Sequence, residues 1–337
     1  MQWIDSWLGG RSQRVVLNGQ ESEWLEVLSG VLQGSVLGPM AFLVFINDID
    51  ESATLIDLIL KFADDTKLSN QATLPTDQQN MQTTLDNLVR WAEDWGMLFN
   101  IQKCKVMHIG AKNPSFKYNM NGIDLEVVRE EKDVGVVTTD SLKFRRHCEE
   151  AVRRANAVLT QISRSFHYRD RHTFRKLYVQ YVRPHLEYAS PVWNPHNRQE
   201  VDLLERVQRR AVNMISGLRE SSYEGKLREL GLDSLELRRK KLDLTQTYKI
   251  LTGKDNVNAR TWFLTQEAAR TRITRQTEFG LNIVRERISK TDTRNYTFSQ
   301  RMINQWNELP VDVKTARNTS SFKNKLNYYF KEQEQQL

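Results

Sequence analysis

The sequence is short of several things, and each shortage closes off a class of function. It holds two cysteines in 337 residues, Cys104 and Cys148. They lie far apart and outside any paired Cys/His spacing. They therefore support neither a disulfide framework nor a zinc knuckle, and they suit a reducing compartment. No run approaches the roughly 18 apolar residues of a membrane span. Met1–Gly10 lacks the basic start and apolar core of a secretion signal. No low-complexity block and no convincing repeat is present. The expectation is an intracellular chain, nuclear or cytoplasmic, without a membrane anchor. Basic residues are scarce at the front: residues 1–100 carry 5 Lys+Arg against 14 Asp+Glu, and the remaining 237 carry 44 against 28. A polyanion would lie mainly against the back half, unless the excess is spread over the solvated faces of amphipathic helices.

What is present suits a folded protein. Apolar residues make up 39% and charged residues 27%, a globular composition, and the length suits about two domains. The most informative stretch is Leu58–Leu68 (LILKFADDTKL), which reads as strand, tight turn, strand with Asp64 and Asp65 at the tip. Two crowded carboxylates repel each other, and a divalent cation between them relieves the repulsion. Taken alone, the pair reads equally as a solvated turn.

Upstream, Trp3–Leu8 reads as a short helix closed by Gly9 and Gly10. Arg14–Leu17, Asn18-Gly19 and Trp24–Leu28 read as a hairpin. Ser29–Pro39 (SGVLQGSVLGP) places Gly30, Gly34 and Gly38 around Gln33-Gly34-Ser35, and Pro39 opens a helix through Met40–Ile49. Glycines there let a backbone approach a ligand, although a plain loop entering a buried helix reads as well. Thr76-Asp77-Gln78-Gln79 reads as a capping box with Thr76 as N-cap. The helix behind it has Met81, Leu85, Leu88, Val89, Ala92 and Trp95 on one face. Leu98–Ile109 and Lys132–Thr138 read as strands. The chain begins abruptly at structured-looking sequence, which leads us to expect that an upstream part of the fold is missing.

Behind Leu142 the pattern turns helical. Cys148, Ala151, Ala155, Val158, Leu159, Ile162 and Phe166 share one face of a long helix with arginines interspersed. Further helices are expected over Lys176–Tyr188, Val201–Ile215 and Ser234–Thr252, with Gly253–Arg260 as a linker. Tyr296–Phe330 alternates short apolar groups around Pro310, and a Gln/Glu tail closes the chain. The fold class is therefore α+β.

Together these pieces resemble the back part of a reverse transcriptase from non-LTR (LINE-type) retrotransposons of the jockey/chicken-repeat-like branch. The resemblance rests on Trp3–Gly19, Ser29–Asp48, Phe62–Leu68 (FADDTKL), Lys103–Gly110 (KCKVMHIG) and Lys132–Thr138 (KDVGVVT). It extends through Val182–His196 (VRPHLEYASPVWNPH), Leu203–Met214 (LLERVQRRAVNM) and Ser299–Pro310 (SQRMINQWNELP), and so covers essentially the whole chain.

The resemblance implies a right-hand polymerase: a partial palm over 1–138, a helical basic thumb-like region over 139–253, and the polyprotein's C-terminal region over 254–337. It makes Asp64 a metal-binding aspartate with Asp65 its neighbour. It places Gln33, Gly34 and Ser35 against the incoming nucleotide and template base, and Lys103 near the leaving pyrophosphate as a candidate proton donor. Lys132, Val134 and Gly135 fall in the hairpin that holds the primer end. The implied partners are an RNA template, a DNA primer and a dNTP, with basic residues after 140 on the phosphate backbone. The implied cofactor is Mg²⁺, two ions serving phosphoryl transfer in the complete enzyme.

The family's partner aspartate belongs to a strand ahead of Met1, and Asp5, Glu21, Glu23 and Glu26 read as surface acids. The expectation is therefore a reverse transcriptase by descent that does not polymerise alone. The alternatives are a nucleic-acid-binding remnant or domesticated protein using the basic half, and an unstable remnant with unpaired strand edges.

Overall fold

The computed structural model describes residues 2–166, 168, 170–218, 220–265, 282–285 and 292–335. They fall into two compact units, Met1–Val128 and Arg129–Leu337.

The first unit opens with α1 (Gln2–Leu8), which Gly9 closes by donating its N–H to the Asp5 carbonyl. The hairpin expected next is present in two pieces. β1 (Ser12–Gln13) pairs with β4 (Leu25–Glu26), and β2 (Val16–Leu17) pairs with β3 (Gln20–Glu21). Asn18 and Gly19 both take positive φ, 52° and 80°, which gives the turn the twist that an Asn-Gly hairpin favours. α2 (Gly38–Phe45) stops four residues before the expected Ile49. There the Asn47 carbonyl accepts from Lys61 Nζ, and the Asp48 carboxylate accepts from the Trp91 indole N–H. These bonds turn the chain into a single 3₁₀ stretch, Ile49–Ala53. Nor is α2 buried all round: Met40, Leu43 and Val44 are exposed.

β5 (Leu58–Phe62) and β6 (Asp65–Ser69) form the acidic hairpin. α3 (Pro75–Asp94) begins two residues earlier than the capping-box reading requires. Its N-cap is Leu74, not Thr76, and the Asp77 carboxylate reaches back to the N–H groups of Thr73 and Leu74. Leu85, Leu88, Trp91 and Ala92 bury its inner face against Ile46 and Ile49, whereas Trp95 stays half exposed. The strand expected over Leu98–Ile109 shrinks to β7 (Lys105–Val106), preceded by a 3₁₀ turn at Ile101–Lys103. β8 (Asn119–Met120) pairs with β9 (Ile123–Asp124), and β10 (Glu126–Val127) runs parallel to β7. An α+β class holds, but no broad palm-like sheet forms among the described residues. Every sheet there has two strands.

The second unit begins with β11 (Glu130–Asp133) and β12 (Val136–Thr139), a hairpin rather than the single strand read over Lys132–Thr138. It packs with the helices that follow, because Val136 is buried in their core. α4 (Arg145–Ser165) buries Cys148, Ala151, Ala155, Leu159 and Ile162, at the three- and four-residue spacing read from the sequence. The helix expected over Lys176–Tyr188 is broken into α5 (Arg171–Leu177), a π turn at Tyr178–Val182 and α6 (Pro184–Glu187). Pro184 has no N–H to continue the ladder. α7 (Ser190–Trp193), α8 (Arg198–Asn213), α9 (Tyr223–Leu230) and α10 (Leu235–Leu251) follow. Asn197, Ser222 and Ser234 cap the last three through their side-chain oxygens.

Two hydrophobic cores occupy this unit. One gathers α4 to α9 around Leu159, Trp193 and Leu204. The other sets Leu244 and Tyr248 of α10 against Trp306, Phe322 and Leu326. The Pro310 break separates helices Phe298–Asn307 and Val311–Lys314, and Thr319–Gln335 closes the described chain. No described helix is long and apolar enough to cross a membrane.

Candidate active site

Phe62 pairs with Asp65, so Ala63 and Asp64 alone make the turn between β5 and β6. Ala63 takes φ +53° while Asp64 does not share the positive sign. This combination belongs to turns that prefer glycine at their first central position. An alanine there is held against its preference, as happens where a turn must present particular side chains. Asp64 therefore stands at the tip and Asp65 opens β6, and both are exposed. Lys61 anchors the stalk of the hairpin. Its ammonium is 2.7 Å from the Asn47 carbonyl and 2.9 Å from Asp50 Oδ1. That ion pair and hydrogen bond hold the Asp50 carboxyl below its usual range.

Behind the Gln33-Gly34-Ser35 turn, Ser35 Oγ donates to the Leu32 carbonyl at 2.7 Å and accepts the Gly38 N–H at 3.0 Å. A Cβ on Gly38 would lie 2.6 Å from that oxygen, so this glycine allows the serine to close the loop onto the first turn of α2. Gly34, at φ +82°, makes the turn itself. Gln33 is exposed. Phe42 and Phe45 of α2 and Leu68 of β6 pack on the same small core, which seats the serine loop and the acidic hairpin on one support. Lys103 ends its 3₁₀ turn exposed. Among the described residues no hydrogen bond or ion pair brings it to Asp64 or Asp65.

The hard carboxylate oxygens of Asp64 and Asp65 have the chemistry a divalent cation takes. The number of donors does not fit a two-ion centre, since the described residues contain no group of three or more His, Cys, Asp or Glu side chains placed to hold a metal.

In the second unit Lys132, Val134 and Gly135 sit on one hairpin. Val134 and Gly135 occupy its two-residue turn with φ 43° and 84°. Lys132 and Val134 are exposed. Three side chains missed by the sequence reading tie this hairpin down. The Tyr188 hydroxyl donates to the Val134 carbonyl at 3.1 Å, and the Val137 N–H donates to His147 Nδ1 at 3.1 Å. Arg146 reaches Glu130 at 3.0 Å. The signal was present in PHLEYASPVW, where an aromatic residue breaks helical periodicity between two prolines, but no spacing rule connects it to a turn fifty residues earlier.

The basic surface is more heavily paired than its net charge suggests. Arg153 and Arg154 share Glu150 and hold its carboxyl down to about 2. Arg145 pairs with Glu149, Arg171 with Glu229, and Arg198 with Asp202 and Glu236.

Residues 1–144, which contain the acidic hairpin, the serine loop and the Val134-Gly135 turn, match the family described as "Reverse transcriptase (RNA-dependent DNA polymerase)". This stretch is similar to that family. The chain is also similar to the "RNA-directed DNA polymerase from mobile element jockey" of Drosophila funebris, 28% identical over 227 residues, 64% of this chain and 25% of that protein. The jockey protein of Drosophila melanogaster is 24% identical over 225 residues, again 64% of this chain and 25% of that protein. The "Probable RNA-directed DNA polymerase from transposon BS" of the same fly is 24% identical over 208 residues, 56% of this chain and 22% of that protein. The resemblance to non-LTR retrotransposon reverse transcriptases is thereby borne out over about 64% of the chain rather than essentially all of it. The chain spans about a quarter of the length of these curated relatives.

Proposed function

We propose that the chain is the rear portion of an RNA-directed DNA polymerase of a non-LTR retrotransposon, with the first unit as part of the palm and the helices behind it as the thumb. The observation that carries this reading is the Ala63-Asp64 turn, which lifts two carboxylates to an exposed tip inside the family-matched segment. In this reading Asp64, with Asp65 beside it, supplies one face of a Mg²⁺ site. The chain's own residues position and shield. Gln33, Gly34 and Ser35 line the nucleotide side, with the Ser35 hydroxyl already committed to shaping its loop. Lys103 stands ready to protonate the leaving pyrophosphate. The Lys132–Gly135 turn receives the primer end, and the basic residues behind 140 meet template and primer phosphates.

The chain on its own is proposed not to polymerise, because the described residues bring no third metal-ligating side chain to the Asp64-Asp65 turn, and poor placement of a reacting group costs orders of magnitude in rate. Extension of a primed RNA template with dNTPs and Mg²⁺ by the purified chain tests this. We expect no product above background. Product that disappears in Asp64→Ala would keep the site and remove the claim of inactivity.

A second reading, a non-catalytic nucleic-acid-binding protein, is favoured by the absence, among the described residues, of any cluster of three metal-ligating side chains. It predicts affinity for primed duplex that falls steeply with salt. Absence of binding at low salt would remove it.

A further inference from the structure

We propose that Tyr188 is a positioning residue, and that Val182–His196 holds the β11–β12 turn in the shape that receives a primer 3′ end. This rests on the reading of that hairpin given above. The contacts form a closed circuit. The Val134 carbonyl accepts from the Tyr188 hydroxyl at 3.1 Å. The Tyr188 carbonyl accepts from the Trp193 indole N–H at 2.7 Å. The Trp193 ring lies against His147, centroids 4.8 Å apart and tilted by 54°. His147 Nδ1 accepts from the Val137 N–H, three residues beyond the starting point.

Each member is fixed by the next. Trp193 is fully buried and cannot swing, and His147 is buried beside it. Ala189, at φ +52°, turns the chain sharply between Tyr188 and α7, which lets one residue's carbonyl face the Trp193 indole while its ring runs under the hairpin. At the turn the fit is close, because a Cβ on Gly135 would stand 3.1 Å from Tyr188 Cε1. Glycine is required there twice, for its φ of +84° and for that ring.

Tyr188 itself is 55% exposed. A residue kept only for core packing would be buried as Trp193 is. Tyr188 instead spends its hydroxyl on the turn and leaves a ring face open beside Val134, which is 46% exposed. An aromatic face next to a rigid turn is the kind of surface on which a terminal base or ribose can rest. The occupant is the recessed 3′ end of a primer on its template.

Two measurements on the full chain test this with Tyr188→Phe, which keeps the ring and removes one hydrogen bond, and Tyr188→Ala, which removes both. Hydrogen exchange should speed up roughly three- to tenfold at the Gly135 and Val136 amides in Tyr188→Phe, the equivalent of one lost hydrogen bond. The second measurement is the ratio of affinities for a recessed-end primer–template and a blunt duplex of equal length. Wild type should prefer the recessed end. Tyr188→Phe should narrow that preference severalfold without weakening blunt-duplex binding, and Tyr188→Ala should abolish it. Unchanged exchange at the turn would overturn the bracing role. Faster exchange with an unchanged ratio would overturn its link to the primer end. A wild type with no preference would remove the primer-holding reading of the hairpin, and this inference with it.

Discussion

Arg301 meets Asp243 with two nitrogens at once, Nε 3.0 Å from Oδ2 and Nη2 3.2 Å from Oδ1. Asp243 is fully buried on α10. Asn194 adds a hydrogen bond at 2.7 Å, and the same Arg301 Nη2 reaches the Pro191 carbonyl at 2.6 Å. Burial pushes the Asp243 carboxyl up, and the Arg301 guanidinium pulls it back. Removing one member of such a pair strands a buried charge. Arg301→Met should cost about 3–5 kcal/mol in urea unfolding of the full chain. Arg301→Met combined with Asp243→Leu should recover most of that loss, and a double variant as weak as the single one would show that the pair is not the source.

His147 gives the fold an acid limit. Burial holds its imidazole down to about 4, against an ordinary 6.5, and Nδ1 must stay unprotonated to accept from Val137. The unfolded chain takes up this proton first as pH falls. Stability from this group is therefore complete above about pH 6.5 and drains away toward pH 4, by roughly 3 kcal/mol in all. His147→Gln should flatten that slope while lowering stability at pH 7. An unchanged slope would count against His147 as its origin.

Glu205 is a buried carboxylate on α8 that receives the first N–H of α10. It accepts from the Leu235 N–H at 3.0 Å, from Gln208 Nε2 at 3.3 Å and from the Tyr223 hydroxyl. That contact and burial push the Tyr223 phenol well above its ordinary value. Glu205→Ala leaves the Leu235 N–H and the Tyr223 hydroxyl without an acceptor and should cost about 3 kcal/mol. Tyr223→Phe removes one of them together with its need, and should cost about 2 kcal/mol or less by the same denaturation measurement.

The acidic turn offers a prediction of opposite sign. Ala63→Gly relieves a positive φ and should stabilise the first unit by about 0.5–1 kcal/mol. Asp64→Ala, at an exposed tip, should change stability by no more than about 0.5 kcal/mol. A large loss in Asp64→Ala would make Asp64 a structural residue rather than a ligand.

Local rules carried the reading a long way. Asn18-Gly19, the Asp64-Asp65 hairpin and the α4 face are each written in fewer than twenty consecutive residues, and each is present. The errors occur where a distant group overrides a local signal. α2 ends early because Lys61 and Trp91 claim the groups that follow it. Thr76 lost the N-cap to Leu74 because Pro75 already opens the helix and Asp77 reaches back. The brace on the Val134-Gly135 turn was illegible because its partners, Tyr188 and His147, are joined to it by tertiary contacts alone.

α10 is one unbroken helix of 17 residues, about 25 Å long, with Leu235 in one core and Leu244 and Tyr248 in the other. It works as a shared axle. Neither core can rotate or loosen without straining the rod on which the other is mounted, so the helices around Trp193 and those around Trp306 have no freedom to drift apart in sequence independently. A lineage that repacks one end of α10 must answer for the other.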